Sequence, residues 1–349
     1  MSSNPLPSSS SRYGGCTVTG ALSVTTAVRD AISILHGPDG CAHHNFSLLH
    51  STYLDADRIR RLSIVSTGLR EQEIIFGGEP ALEKAIARAV EQEPGAVFVI
   101  STCVAGTIGD DIFAVAEQEW DVPVIPVPSA GFLGGTFRDG FLEALRALSV
   151  LADGCTGDRR KCGVAVIGER NLEFEVGEHF REVERLSGAL GLPVSLRFVN
   201  DISVGDISRL GSAEVNVLRD RSLVPLGESL KARFGTPYVE SFPEGFSGSL
   251  RFLEALARAT GRDAAAALRA EREVQEEICR EFSGMQGAAY SLSSPGGDPE
   301  GQDSARAVAD LFGMRYSDEG PRVPLPVSAP VGSGGVRRLL HRWRRALHA

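Results

Sequence analysis

A chain of 349 residues, 42% hydrophobic and 23% charged, can bury a sizeable core and divide into two or three domains. Its net charge of −9 argues against a general nucleic-acid binder, and its basic charge is nearly all arginine, with Lys84, Lys161 and Lys231 the only lysines. No apolar run is long enough to span a bilayer, and the N-terminal "MSSNPLPSSSSRYGG" lacks the apolar centre of a signal peptide, so a soluble, cytoplasmic protein is expected.

Residues 1–11 are expected to be disordered. The stretch "YGGCTVTGALSVTTAVRDAISILHG" reads as a loop carrying Cys16 that runs into a helix, and "HGPDGCAHHNFS" as a glycine-flanked loop carrying Cys41 at that helix's far end. A helical pattern at 79–93 leads to the buried strand "GAVFVI" at 95–100, and "STCVAGTIGDDI" follows at once. Cys103 therefore falls at a strand's carboxyl end, where an open α/β sheet presents its chemistry. Asp110 and Asp111 start a helix at 110–121 and are read as complements to its dipole and caps for its free N–H groups. A strand at 122–127 completes the first unit.

The pattern recurs after a break near 152–161, with a strand at 162–168, a helix at 178–191, a strand at 193–199, a turn-rich stretch and a strand at 214–218. Strands alternating with helices of this length imply crossover connections. Two successive Rossmann-like, parallel-sheet α/β domains are expected, at 12–155 and 156–260. A long helix at 261–282 and a residual βα unit reach to 316, and a Pro/Gly/Ser-rich linker is expected at 317–334. The final "GVRRLLHRWRRALHA" (335–349) is a basic amphipathic helix, with Val336, Leu339, Leu340, Trp343 and Leu347 along one stripe. It is too short, with a single tryptophan, to hold well in lipid, so docking on protein is expected: a partner or this chain's own acidic body.

Six cysteines in a reducing compartment suggest metal ligands or core residues, not a disulfide framework. Cys16, Cys41 and Cys103 each lie in a loop beside a regular element. Glycine-rich loops can bring distant thiolates to one iron–sulfur cluster, because nearby backbone N–H groups offset its negative charge. Three separate structural cysteines are the alternative reading. Cys155, Cys162 and Cys279 have no zinc-site spacing and take no role, and His43 and His44 are read as polar surroundings of Cys41.

"GGCTVTGALSVTTAVRDAISILHGPDGCAHHN", "IIFGGEPALEKAI" and "STCVAGTIGDDI", in that order, resemble the N-terminal domain of the nitrogenase component 1 family. "GVAVIGERN" and "KARFGTPYVES" extend the resemblance to roughly residues 12–280. That family includes both chains of the molybdenum–iron protein, the scaffolds that mature its cofactor, and the catalytic subunits of protochlorophyllide and chlorophyllide reductases. The resemblance implies that Cys16, Cys41 and Cys103 ligate an iron–sulfur cluster at a subunit interface, a [4Fe-4S] cluster in preference to an eight-iron P-cluster. It implies electron delivery by an ATP-dependent iron-protein-type reductase, consistent with the lack of a G-x-x-x-x-G-K-[ST] loop in this chain. Three cysteines leave a four-iron cluster one ligand short, so a homodimer or a second component 1 chain is expected.

The family's third domain is expected to be reduced or absent. Arg219 is the best match to the cysteine that anchors the family's large active-site cofactor, and a cationic donor cannot replace a thiolate. No homocitrate-type cofactor and no dinitrogen reduction are therefore expected. The reading is an oxidoreductase subunit passing electrons to a bound organic substrate, a tetrapyrrole among the candidates. The alternative is a non-catalytic scaffold or carrier for metallocluster assembly, and a third reading is a cluster-free α/β binding protein.

Overall fold

The computed structural model describes residues 15–347 apart from 56, 133–134, 153–160, 174, 293–298 and 327. The expected disordered N-terminus, most of the break near 152–161 and Cys155 lie outside the described residues.

Four parallel strands, β1 (Ala31–His36), β2 (Ile64–Ser66), β3 (Ala96–Ser101) and β4 (Val124–Val127), form the first sheet in the order β2-β1-β3-β4. β1 and β3 are buried along their whole length, because helices cover both faces, and so they read as near-continuous apolar runs. The period of two still sorts their side chains. Ile32, Ile34, Val97 and Val99 meet Leu82, Ile86, Ile112 and Val115 on one face. Leu35, Phe98 and Ile100 share a core with Leu22, Phe137 and Phe141 on the other.

The segment 31–36 is thus the central strand and not the end of the expected helix, which stops at Thr25. Short apolar runs fit either period, and here the β-branched Ile32 and Ile34 pair along all of β3. The helix expected at 110–121 is also shorter, running only Ile112–Ala116, with a separate helix at Cys103–Ile108 before it.

The Thr17–Thr25 helix is buried at all nine residues and crosses Phe137–Ser149 with the two backbones nearly touching. A Cβ on Gly140 would collide with the carbonyl of Thr17, and one on Gly20 with that of Phe137. Gly140→Ala is expected to lower the unfolding free energy by about 1–3 kcal/mol, since only backbone movement could relieve the overlap. An unchanged urea midpoint would show that the crossing is looser than described.

β5 (Val164–Ile167), β6 (Val194–Phe198), β7 (Val215–Leu218) and β8 (Tyr238–Val239) repeat the arrangement in the order β6-β5-β7-β8, all parallel. Ala165, Ile167 and Leu218 belong to the same core cluster as Leu22 and Phe98, so the two domains share apolar packing. A third, small parallel sheet follows, β9 (Ala289–Leu292), β10 (Arg315–Tyr316) and β11 (Arg322–Val323), in the order β10-β9-β11. The reduced third lobe therefore extends into the segment expected to be a linker. Val323 pairs with Leu292, Val331 bridges to Glu244, and both valines are fully buried. The prolines there exclude a helix but leave an extended, packed strand open.

The Gly332–Leu347 helix closes this lobe on the chain's own body and is not on a free tether. Val336, Leu339, Leu340 and Trp343 are buried in one cluster with Phe246, Phe282, Tyr290 and Phe312. Among the described residues no helix is long and apolar enough to cross a membrane.

Candidate metal centre

In the first sheet the chain leaves β1 toward one edge, at β2, and leaves β3 toward the other, at β4. The connections part between β1 and β3, and a crevice opens beyond the carboxyl ends of these two strands. His36 and Ser101 are partners at those ends. Cys103 comes two residues after β3 as the first residue of the Cys103–Ile108 helix. Cys41 comes five residues after β1, in the first turn of the Asp39–Asp55 helix and not in a loop. Cys16 is the N-cap residue of the Thr17–Thr25 helix.

All three thiols thus stand at helix starts, where unpaired N–H groups favour negative charge. Thr102 fixes the crevice: its hydroxyl donates to the His36 carbonyl at 2.9 Å and accepts from Ala105 N–H at 3.5 Å. Gly37 lets the β1 loop press against Thr102, whose side chain a Cβ there would strike.

The thiols are neighbours. Burial pushes the Cys41 thiol above its ordinary value, and the nearby Cys16 and Cys103 push it further. Cys16 is exposed and the other two are partly exposed, so the group faces the surface. Two thiols that resist the ionisation of the third suit a multiply charged cationic centre, which reverses that repulsion. Among the described residues no three His, Cys, Asp or Glu side chains converge to hold a single metal ion. An iron–sulfur cluster spreads its thiolates over several irons, and thiolate is its ordinary ligand, so these residues fit such a group.

His36 was not singled out from the sequence, although a histidine ending an apolar strand before Gly37 was a usable signal. It is fully buried, with Nε2 2.9 Å from Asp110 Oδ2 and Nδ1 3.1 Å from Thr67 Oγ1. Burial lowers its pKa, and Asp110 only partly opposes this. Asp110 also accepts from Gly78 N–H at 3.0 Å, so it braces the crevice, while Asp111 caps the Ile112–Ala116 helix. His43 and His44 are exposed on the helix that bears Cys41. The Glu71–Phe76 helix packs beside Cys103–Ile108 and leaves Ile75 and Phe76 exposed, 71% and 82%. Large apolar side chains so exposed are a mark of an interface.

At the end of β7, Arg219 is almost fully buried. It is 2.9 Å from Glu244 and 3.4 Å from Glu173, and its guanidinium lies 4.4 Å from the centre of the Phe242 ring. Burial would raise the pKa of Glu173, but Arg219 and His179 outweigh it and hold the carboxylate down to about 2. An arginine locked in this way offers donors only, so a thiolate-anchored cofactor does not fit at this position.

Two doubly wound sheets, each open at a crevice, with three thiols gathered at the first, define a class of α/β protein that presents cysteines beyond its strand ends. Residues 16–285 match the family model described as nitrogenase component 1 type oxidoreductase. The chain belongs to the nitrogenase component 1 family. It is 34% identical over 230 residues to the nitrogenase iron-molybdenum cofactor biosynthesis protein NifE of Clostridium pasteurianum, covering 64% of this chain and 49% of that protein. It is 30% identical over 280 residues to NifE of Rippkaea orientalis, covering 77% and 57%. With the nitrogenase molybdenum-iron protein alpha chain of Frankia alni it shares 31% over 238 residues, covering 65% and 49%. Among solved structures, nitrogenase Cp1 at pH 6.5 superposes with a TM-score of 0.67 at 23% identity, covering 90% of this chain and 62% of that one, a likeness of fold. The chain spans about half the length of the curated relatives it matches.

Proposed function

We propose that this chain carries an iron–sulfur cluster on Cys16, Cys41 and Cys103 and serves as a scaffold or carrier in metallocluster assembly. The gathering of the three thiols at the β1/β3 crevice carries the reading, and the relatives named for cofactor biosynthesis support the scaffold role. The cluster would supply one-electron transfer. The chain itself contributes the thiolates, the helix-start N–H groups that offset their charge, and the brace of Thr102, His36 and Asp110 behind them. A fourth ligand to a four-iron cluster comes from a second copy or a second component 1 chain, across the surface that exposes Ile75 and Phe76. The whole protein acts in the cytoplasm, away from membrane and nucleic acid.

A second reading, reduction of an organic substrate such as a tetrapyrrole, is favoured by Arg219 in place of the anchoring thiolate and by the open cavity beside it. Both readings take electrons from a separate ATP-dependent iron-protein-type reductase, because this chain has no phosphate-binding lysine loop. The purified chain is expected to hydrolyse no ATP, and its cluster to take electrons from a low-potential donor such as dithionite in an MgATP-dependent way only when such a reductase is added. Catalytic ATP hydrolysis by the chain alone would contradict both readings. Delivery of metal clusters to an apo-acceptor marks the scaffold, and turnover of an organic substrate marks the reductase.

A further inference from the structure

β2 is an edge strand: among the described residues β1 pairs it on one side and no strand pairs it on the other. Ser33 N–H donates to the Ser63 carbonyl and Thr67 N–H to the Leu35 carbonyl, so residues 63, 65 and 67 face β1. Alternation along the strand then turns the peptide groups of Ile64 and Ser66 outward. Among the described residues no backbone group bonds to them on that outer side, and residues 64–67 are only partly buried.

A groove of about 750 Å³ lies along this edge, between β2 and the Glu79–Val90 helix. Ala81, Ala85 and Ala89, each one helical turn from the next, floor it with small apolar side chains. Lys84, Arg88 and Gln92 make a second row at the same spacing. Lys84 and Arg88 are exposed, and among the described residues neither side chain has a partner. Among the described lining residues the one carboxylate is Glu73, which accepts from Arg70 N–H at 2.9 Å at the start of its own helix. Of the nearby acids, Glu83 accepts from Gln118 at 2.7 Å and Glu91 lines a separate concavity, so neither lies on this row.

We propose that this groove is a docking site for an extended acidic segment of a partner protein, which adds to β2 as a further strand. In strand addition the open backbone edge gives affinity, and the surface beside it selects alternate side chains. The outward N–H and C=O groups of Ile64 and Ser66 take the segment's backbone. Its side chains on the helix side meet the alanine floor and the two free cations, which calls for carboxylates at alternate positions. Ala81 to Ala89 span about 12 Å, the length of about four extended residues. The site holds for a scaffold or a reductase alike, and it does not depend on the cluster.

The test is fluorescence polarisation of the purified protein with the labelled hexapeptide EVEVEV, compared with KVKVKV. The acidic peptide is expected to bind one per chain, about tenfold or more tighter than the basic one. Methylating the backbone nitrogens of its three valines, or of its three glutamates, removes the donors along one edge of the strand or along the other. One pattern should abolish binding and the other should leave it. The double variant Lys84→Gln/Arg88→Gln is expected to weaken the acidic peptide about tenfold without moving the urea midpoint, and Lys84→Glu/Arg88→Glu to reverse the preference toward KVKVKV. Arg146→Gln, outside the groove, should leave binding unchanged. Cys103→Ser should bind the peptide as the parent does, which separates this site from the cluster reading. Equal affinity for the two peptides, equal effects of the two methylation patterns, or binding insensitive to the charges at 84 and 88 would each overturn the proposal. So would a dimer of the parent that these charge variants dissociate and the acidic peptide does not, which would give the groove to a second copy of the chain.

Discussion

Anaerobically purified Cys103→Ser protein is expected to lose most of its iron and most of its broad thiolate-to-iron absorption, with Cys16→Ser and Cys41→Ser doing the same. Serine is nearly isosteric with cysteine, but its hydroxyl stays protonated at neutral pH, so it is a poor ligand where a thiolate is needed. The replacements should fold. Cys16 is exposed, Cys41 and Cys103 are partly exposed, and serine suits a helix start. A lost chromophore with an unchanged unfolding midpoint would therefore report ligation and not collapse of the core. Full iron and an unchanged spectrum in Cys103→Ser would sink the assignment. The same preparations test the shared ligand, since the parent should sediment as a dimer or larger when its cluster is complete. A holo-monomer would require a fourth ligand from within this chain.

Trp343→Ala is expected to destabilise the third lobe by about 3–5 kcal/mol, and removal of residues 335–349 to unfold it. Trp343 is fully buried, stacks on Tyr290 with ring centres 6.0 Å apart, and donates from Nε1 to the Pro324 carbonyl at 2.8 Å. Val336, Leu339 and Leu340 bury with it. The arginines on the other faces pair with Glu281 at 2.6 Å and Glu178 at 3.3 Å, and Arg342 pairs with Glu175. These pairs are partly exposed, worth about 0–1 kcal/mol each, and screened by salt. Apolar burial decides the outcome. The loss should be nearly the same at low and high salt in urea unfolding, whereas Arg338→Gln should cost little. A Trp343→Ala protein with the parent's urea midpoint would mean that the helix is a detachable arm, as its composition alone suggested.

The alternation of strands and helices was legible from local pattern, since "AVFVI" and "VAVI" are apolar runs of strand length between helical stretches. The order of the thiols along the chain was legible too, and with it the family. Other elements were not. β1 looked like helix because six apolar-rich residues satisfy both periods, and β8, β10 and β11 are two residues each, too short to carry a period at all. The stripe of Val336, Leu339, Leu340 and Trp343 announced that the last helix must be covered. It did not say by what.

What the sequence by itself determined is local: which stretches could be strand or helix, that Cys103 ends a strand, that Arg219 is no thiolate, and that no nucleotide-binding lysine loop is present. Only the tertiary structure decided that β1 pairs with β3, which sets His36 beside Ser101 and so brings Cys41 and Cys103 to one crevice with Cys16. It alone set Arg219, at the end of β7, against Glu173 and Glu244. Period and capping act between residues a few positions apart. Pairing between distant strands is set by the burial of both sheet faces at once, a sum over the whole chain that no short stretch contains.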